Sequence, residues 1–190
     1  MELVRNIVVT APAGLENEYG QLLQRNGIDK VSRVVTGGAE RQDSIYEALR
    51  LLDLEAGDLV AVHDAARPLI TPLLVEDVCA ALENCDGAIP AVAVKDTIKR
   101  VDASGMVLQT LMRSELRAVQ TPQIFRFGPL LQAYDKARAA GFVGTDDASL
   151  IEAVGGKVRV VDGDYRNLKV TTAEDLVTLE ELWQELHTVG

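Results

Sequence analysis

Short apolar runs of strand length alternate with amphipathic stretches of helix length along nearly the whole chain, and that alternation limits its fold more than anything else. Ile7-Val8-Val9 is the centre of a buried strand predicted over 5–11, ended by Pro12-Ala13-Gly14. A helix over 15–25 stops at Asn26-Gly27, and a second strand over 31–35 runs into Gly37-Gly38. The next helix, over 40–52, carries Ile45, Ala48, Leu49 and Leu52 on one face, and a third buried strand over 59–62 ends in His63-Asp64. Thr71-Pro72 reads as a helix start: the hydroxyl can accept from free N–H groups, and proline's missing N–H does no harm in a first turn. That helix is predicted to about Asn84, followed by an apolar strand over 87–94, helices over 127–140 and 146–154, and a strand over 158–161. Thr171 and Glu174 form a capping box for the last helix, whose buried face is Leu176, Leu179, Leu182, Trp183 and Leu186.

Such a pattern predicts an α/β fold, a Rossmann-like and mostly parallel sheet with helices on both faces. One segment breaks the rhythm. Residues 97–101 and 107–111 flank Asp102-Ala103-Ser104-Gly105 and read as a β-hairpin, a protruding arm over 96–111 of the kind that covers a site or meets a partner subunit. With no repeat, low-complexity tract or linker, the 190 residues are expected to form one domain.

Composition removes whole classes of function. The formal net charge of −10 repels a polyphosphate backbone, so nucleic acid is not an expected partner. It leaves room for a small anion held by a few placed cations. No apolar run reaches membrane-spanning length, and Met1-Glu2-Leu3-Val4-Arg5-Asn6 resembles no signal peptide, so a cytoplasmic location is expected. Cys79 and Cys85, the only cysteines, have neither metal nor disulfide spacing.

Ligands of open parallel sheets bind beyond the carboxyl ends of the strands, and four polar clusters stand there. Gly37-Gly38-Ala39-Glu40-Arg41-Gln42-Asp43-Ser44 allows close backbone approach at a helix N-terminus, although a plain tight turn explains it as well. His63-Asp64-Ala65-Ala66-Arg67-Pro68 keeps an acid and a base close with small residues between. Asp64 could face a metal–phosphate complex and Arg67 a phosphate oxygen, with a structural ion pair as the plainer alternative. His63 reads as a satisfied structural histidine. The third cluster joins Val94-Lys95-Asp96-Thr97-Ile98-Lys99-Arg100 to Arg113 and to Ala118-Val119-Gln120-Thr121-Pro122-Gln123; Lys99 and Arg100 suit a solvated strand edge. In the fourth, Asn167-Leu168-Lys169-Val170-Thr171, Lys169 points away from its apolar neighbours toward the strand-end cleft, or is a surface lysine. Gly144-Thr145-Asp146-Asp147-Ala148-Ser149 is most simply a helix cap.

In this order, the Gly37–Ser44 turn, His63–Pro68, Asp96-Thr97 with Lys99-Arg100, Thr121-Pro122-Gln123, Thr145-Asp146 and Asn167–Thr171 resemble the 2-C-methyl-D-erythritol 4-phosphate cytidylyltransferase family over essentially the whole chain. The resemblance implies a homodimer that joins CTP to a sugar-alcohol phosphate and releases pyrophosphate, with Mg²⁺ bound mainly through the CTP phosphates and no metal ligand assigned to the protein. By that likeness Gly37, Gly38, Ala39 and Ser44 approach the cytidine, and Asp64 lies beside the metal–triphosphate. Asp64, Arg67, Thr97 and Thr121 bind the substrate, and Arg113 and Lys169 are the catalytic pair that positions its phosphate for attack. The arm would reach the neighbouring subunit, so Thr97 and Arg113 would serve the neighbour's site. A ribitol 5-phosphate cytidylyltransferase and a non-catalytic nucleotide-binding or dimerisation module are the alternatives. No Gly-x-Gly-x-x-Gly follows a strand, which discounts a dehydrogenase.

One departure is large. The family's first strand and the glycine-rich Arg/Lys loop after it have no counterpart in residues 1–30, so a central strand is expected to be missing between the 5–11 and 59–62 strands. The expected cause is a truncated or mis-started chain in preference to decay, because the remaining motifs are intact. The 190 residues alone are therefore expected to be poorly stable and inactive, an expectation that robust CTP-dependent pyrophosphate release would overturn.

Overall fold

The computed structural model describes residues 3–188. In chain order its elements are β1 (Ile7–Ala11), α1 (Glu16–Arg25), β2 (Val31–Thr36), α2 (Arg41–Leu49), β3 (Leu59–Val62), α3 (Pro72–Ala80), β4 (Gly87–Ala93), β5 (Lys99–Val101), β6 (Val107–Thr110), β7 (Arg117–Val119), β8 (Gln123–Arg126), α4 (Phe127–Ala140), α5 (Asp147–Ala153), β9 (Val158–Asp162) and α6 (Ala173–Thr188), with a 3₁₀ turn at Arg113–Glu115. They divide into two compact units, the first made of Met1–Val62, Asn84–Gly87 and Ile124–Val158 and the second of His63–Glu83, Ala88–Gln123 and Arg159–Gly190.

In the first unit β1 and β2 lie parallel, joined by α1 as the crossover that a parallel pair requires. β3 neighbours β8 in a separate sheet, and among the described residues no ladder joins β1 to β3. The strands predicted as buried are therefore half-open. Ile7, Val8 and Val9 are only partly covered, and Leu59 is 45% exposed. The packed centre lies instead around α4 and α5, where Leu130, Ala133, Tyr134, Ala137, Leu150 and Ile151 are buried together with Ile124 and Phe125. Burying Phe125 completely contributes about 1.5–3 kcal/mol, and it needs Gly87: a Cβ there would lie 2.3 Å from the Phe125 ring. Asp146 caps α5 by accepting from Ser149 N at 2.9 Å.

In the second unit β4 pairs with β7 and with β9. The β4–β7 ladder is antiparallel, matching Ala91 to Val119 and Ala93 to Arg117. α3 begins as Thr71-Pro72 predicts, the Thr71 hydroxyl accepting from Leu74 N at 3.3 Å, and buries Leu74 and Val78. It ends at Ala80, short of Asn84, which has a positive φ of 60°. The predicted hairpin forms between β5 and β6, with its turn closed by Asp102, whose carboxylate accepts from Ser104 N at 2.9 Å and Met106 N at 3.0 Å. The capping box of α6 lies one residue later than predicted. Thr171 N and Thr172 N both donate to Asp175 Oδ2 at 2.8 Å, and Asp175 N donates to Thr172 Oγ1 at 3.3 Å. The pattern Thr-x-x-acid occurs twice in register, and this shorter acid takes the N–H groups. The apolar face of α6 is more open than predicted: Leu176 is 55% exposed and Trp183 51%, while Leu179 and Leu182 are half-buried. Among the described residues no helix is long and apolar enough to cross a membrane.

Candidate functional site

The second unit gathers the His63–Arg67 turn, Gln120-Thr121 and the 167–170 segment into one hydrogen-bonded group. β3 ends at Val62, and the chain turns through His63–Arg67, where Arg67 N donates to Asp64 O at 2.9 Å. The Asp64 carboxylate pairs with Lys169 Nζ at 2.9 Å. Asp64 N donates to Thr121 Oγ1 at 3.0 Å, and Thr121 Oγ1 also lies 3.0 Å from His63 Nδ1. His63 Nε2 lies 3.1 Å from Arg67 O, which can only accept. Nε2 therefore carries a proton, and in the neutral ring Nδ1 accepts from the Thr121 hydroxyl. Burial pulls the His63 pKa below its usual 6.5, favouring the same state. With both ring nitrogens and the Thr121 hydroxyl engaged inside the protein, His63 and Thr121 frame the group, while Lys169 and Arg67 supply its positive charge.

Asn167 holds the group together. It is 1% exposed; its Nδ2 donates to Thr121 O at 2.9 Å, and its backbone O accepts from Arg67 Nη1 at 2.7 Å and Gln120 Nε2 at 3.2 Å. Val170 N donates to Ala66 O at 2.8 Å, so the 167–170 segment is laced along the 64–67 turn. Among the described residues two buried side-chain polar atoms have no hydrogen-bond partner, Arg67 Nε and Asn167 Oδ1. Buried polar groups are normally paired, and an unpaired donor and acceptor on Arg67 and Asn167 mark this as a polar interior in which packing has not satisfied every group. Burial lowers the Arg67 pKa and the Asp64 charge opposes that shift; guanidinium remains charged either way.

Thr97 and Arg113 make no hydrogen bond or ion pair with this group among the described residues. Thr97 is exposed between β4 and β5, and Arg113 Nη1 donates to Lys95 O at 2.7 Å from the exposed 3₁₀ turn. Gly37, Gly38, Ala39 and Ser44 belong to the first unit. There Gly38 N donates to Ser44 Oγ at 2.9 Å, and a Cβ on Gly38 would stand 2.2 Å from Asp43 Cβ. The paired glycines are thus required by the turn's own packing on α2. Two residues behind it lock that helix start: Gln42 bonds Phe142 O and Gly144 N at 3.0 and 2.9 Å, and Arg41 Nη2 pairs with the fully buried Asp147 at 2.7 Å. The Tyr134 hydroxyl also donates to Asp147, so the Gly144–Ser149 segment does more than cap a helix.

A family model for IspD, 2-C-methyl-D-erythritol 4-phosphate cytidylyltransferase, matches residues 1–185. The chain belongs to this cytidylyltransferase family. A relative from Bacillus mycoides (strain KBAB4) carrying the same enzyme name is 49% identical over 162 residues, which are 85% of this chain and 70% of that protein. Another from Geobacillus thermodenitrificans (strain NG80-2) is 44% identical over 181 residues, 95% and 78% of the two chains. Among solved structures, the 2-C-methyl-D-erythritol 4-phosphate cytidylyltransferase of Thermus thermophilus superposes with a TM-score of 0.80 at 33% identity, over 94% of this chain and 82% of that one. The 4-diphosphocytidyl-2C-methyl-D-erythritol synthase of Anaerococcus prevotii DSM 20548 gives 0.84 at 32%, over 95% and 79%. The α/β fold expected from the sequence is the fold of these cytidylyltransferases. Asn167 and Gln120 fall inside the polar clusters read from the sequence, but without the organising role that their buried amides have here. Their signal is faint: uncharged amides at strand ends, buried only because backbone carbonyls and N–H groups need them.

Proposed function

We propose that the reaction this site serves is that of a 2-C-methyl-D-erythritol 4-phosphate cytidylyltransferase and that the Asp64–Arg67–Thr121–Lys169 group is its cradle for the acceptor's phosphate. The supporting observation is that the 64–67 turn and the 167–170 segment bring two cations, Arg67 and Lys169, to one carboxylate, Asp64, next to a histidine that burial disposes to be neutral. In the reaction a phosphate oxygen of the acceptor forms a bond to the α-phosphorus of CTP, and the bond from that phosphorus to the bridging oxygen breaks, with pyrophosphate leaving. Arg67 and Lys169 hold the attacking phosphate in line and offset charge on the phosphoryl oxygens. Thr121 and Asn167 keep the 64–67 turn and the 167–170 segment at a fixed spacing.

Among the described residues no cluster of three metal-ligating side chains occurs. One carboxylate, Asp64, stands in the group, a donor set that fits Mg²⁺ carried largely by nucleotide phosphates. Bound there, the ion would neutralise phosphoryl oxygens, and Asp64 is the residue that would face it. The Gly37–Ser44 turn is assigned to the cytidine. On the hairpin, Met106, Val107 and Leu108 are 67%, 58% and 56% exposed, which supports an arm that packs on a second copy and carries Thr97 and Arg113 toward the partner's site. The compartment that supplies CTP and a phosphorylated sugar alcohol is the cytoplasm.

Calorimetry with 2-C-methyl-D-erythritol 4-phosphate and ribitol 5-phosphate side by side tests the assignment. Saturable binding that favours the methylerythritol ester, lost in Lys169→Ala, is expected. Equal or tighter binding of the ribitol ester, or binding unchanged in Lys169→Ala, would refute it.

A further inference from the structure

The loop that carries Asn167 and Lys169 also reaches the root of the arm, and one side chain makes that connection. Tyr165, 50% exposed, donates from its hydroxyl to Ala93 O at 2.6 Å, at the end of β4. Its ring lies under the Lys95 ammonium, with Nζ 3.9 Å from the ring centroid. The backbone carbonyl of Lys95 is the group that receives the Arg113 guanidinium at 2.7 Å. A carbonyl on a segment leaving a strand is free to swing unless something holds it, and here Tyr165 grips that segment at Ala93 and at Lys95. The base of the loop is itself fixed. Gly163 N donates to Ala91 O at 2.9 Å, and Gln120 bonds both Asp164 O and Asp164 N, at 2.8 and 3.2 Å. A Cβ on Gly163 would lie 2.5 Å from Gln120 Oε1 and 3.1 Å from the Ala91 backbone, so a larger residue there would displace the Gln120 amide that bonds Asp164.

We infer that Tyr165 is a positioning residue that aims Arg113 by fixing the Lys95 carbonyl, and so couples the Lys169 loop to the arm. The inference rests on the reading of Arg113 as a further cation for the acceptor phosphate, carried by the arm toward the partner's site. Phenylalanine at 165 keeps the cation–π face and loses the Ala93 bond; leucine loses both. The contacts are solvent-exposed, so the effect is a graded loss of affinity.

A double-mutant cycle on the full chain tests it, with calorimetric affinity for 2-C-methyl-D-erythritol 4-phosphate as the readout and a thermal melt of each variant as the check on folding. Tyr165→Leu is expected to weaken binding about three- to ten-fold, the range typical of residues sharing one network, with Tyr165→Phe between it and the parent. In an Arg113→Ala background Tyr165→Leu should have no further effect, whereas in Lys169→Arg, which retains the charge at 169, it should keep its full effect. A purely structural role would give the same loss in every background, and that additivity would overturn the inference, as would unchanged affinity in Tyr165→Leu. Absence of acceptor binding by the parent chain would count against the proposed function itself, and in that case side-chain NMR of Arg113 decides the matter. Its Nε–H signal should broaden or shift in Tyr165→Leu and stay in place in Lys169→Ala; an unmoved signal in Tyr165→Leu overturns the coupling.

Discussion

Thr121 does the most with the least. A single hydroxyl accepts from Asp64 N and donates to His63 Nδ1, and so sets the tautomer that lets Nε2 donate to Arg67 O. Thr121→Val keeps the shape and strands both partners, at about 1–3 kcal/mol for each buried group left unpaired. A urea midpoint well below that of the parent is expected, and an unchanged midpoint would mean the bonds are not formed. His63 adds a pH dependence with a fixed sign. Its folded pKa is depressed by burial, so the unfolded chain takes up the proton first. Stability is complete above the unfolded value near 6.5 and is lost as the pH falls from there toward the lower folded value. A His63 NMR signal titrating at or above 6.5 would contradict this. At this scale Asp64, Arg67, Thr121 and Lys169 were legible because charged or hydroxyl residues at the ends of apolar runs have few other uses. Arg67 Nε and Asn167 Oδ1 were not, since an unpaired buried atom is a property of packing and leaves no mark in the residue order.

Elements with local causes were read well and those with distant causes were not. α4 spans the residues expected, ending at Gly141 in the left-handed region with φ 63°, and α3 starts where Thr71-Pro72 places it. β7 and β8 were missed, being only 3 and 4 residues long. β7 is wholly exposed and exists because β4 offers it a ladder; β8 follows directly on the Thr121-Pro122 punctuation, which reads as a turn. The open face of α6 has the same origin, since an amphipathic pattern shows that a face wants cover and does not say that cover is present. Glycines separate along the same line. Gly38 is forced by the Asp43 Cβ 2.2 Å away, whereas Gly20 in α1 faces open space. Gly20→Ala should raise the melting temperature through about 1 kcal/mol of helix propensity. Gly38→Ala should lower it through about 1–3 kcal/mol of overpacking, and a shift of both in one direction would refute the contrast.

Across the whole molecule, a net charge of −10 opposes anions at long range, and the cluster of the second unit is where Arg67 and Lys169 outnumber the single Asp64 carboxylate. Long-range repulsion from the acidic surface is screened by salt, while the direct contacts of a partly buried cradle are screened much less. The fold class and the family were legible from the order of six motifs along the chain, and the division into two units was not, because it depends on which distant segments share contacts. The claim on which the account turns is that one cluster of the second unit takes the acceptor's phosphate. An amide NMR titration with 2-C-methyl-D-erythritol 4-phosphate tests it most directly. The account predicts the largest shifts at 63–67, 120–121 and 167–170, abolished in Lys169→Ala; shifts centred elsewhere, or surviving that substitution, would contradict it.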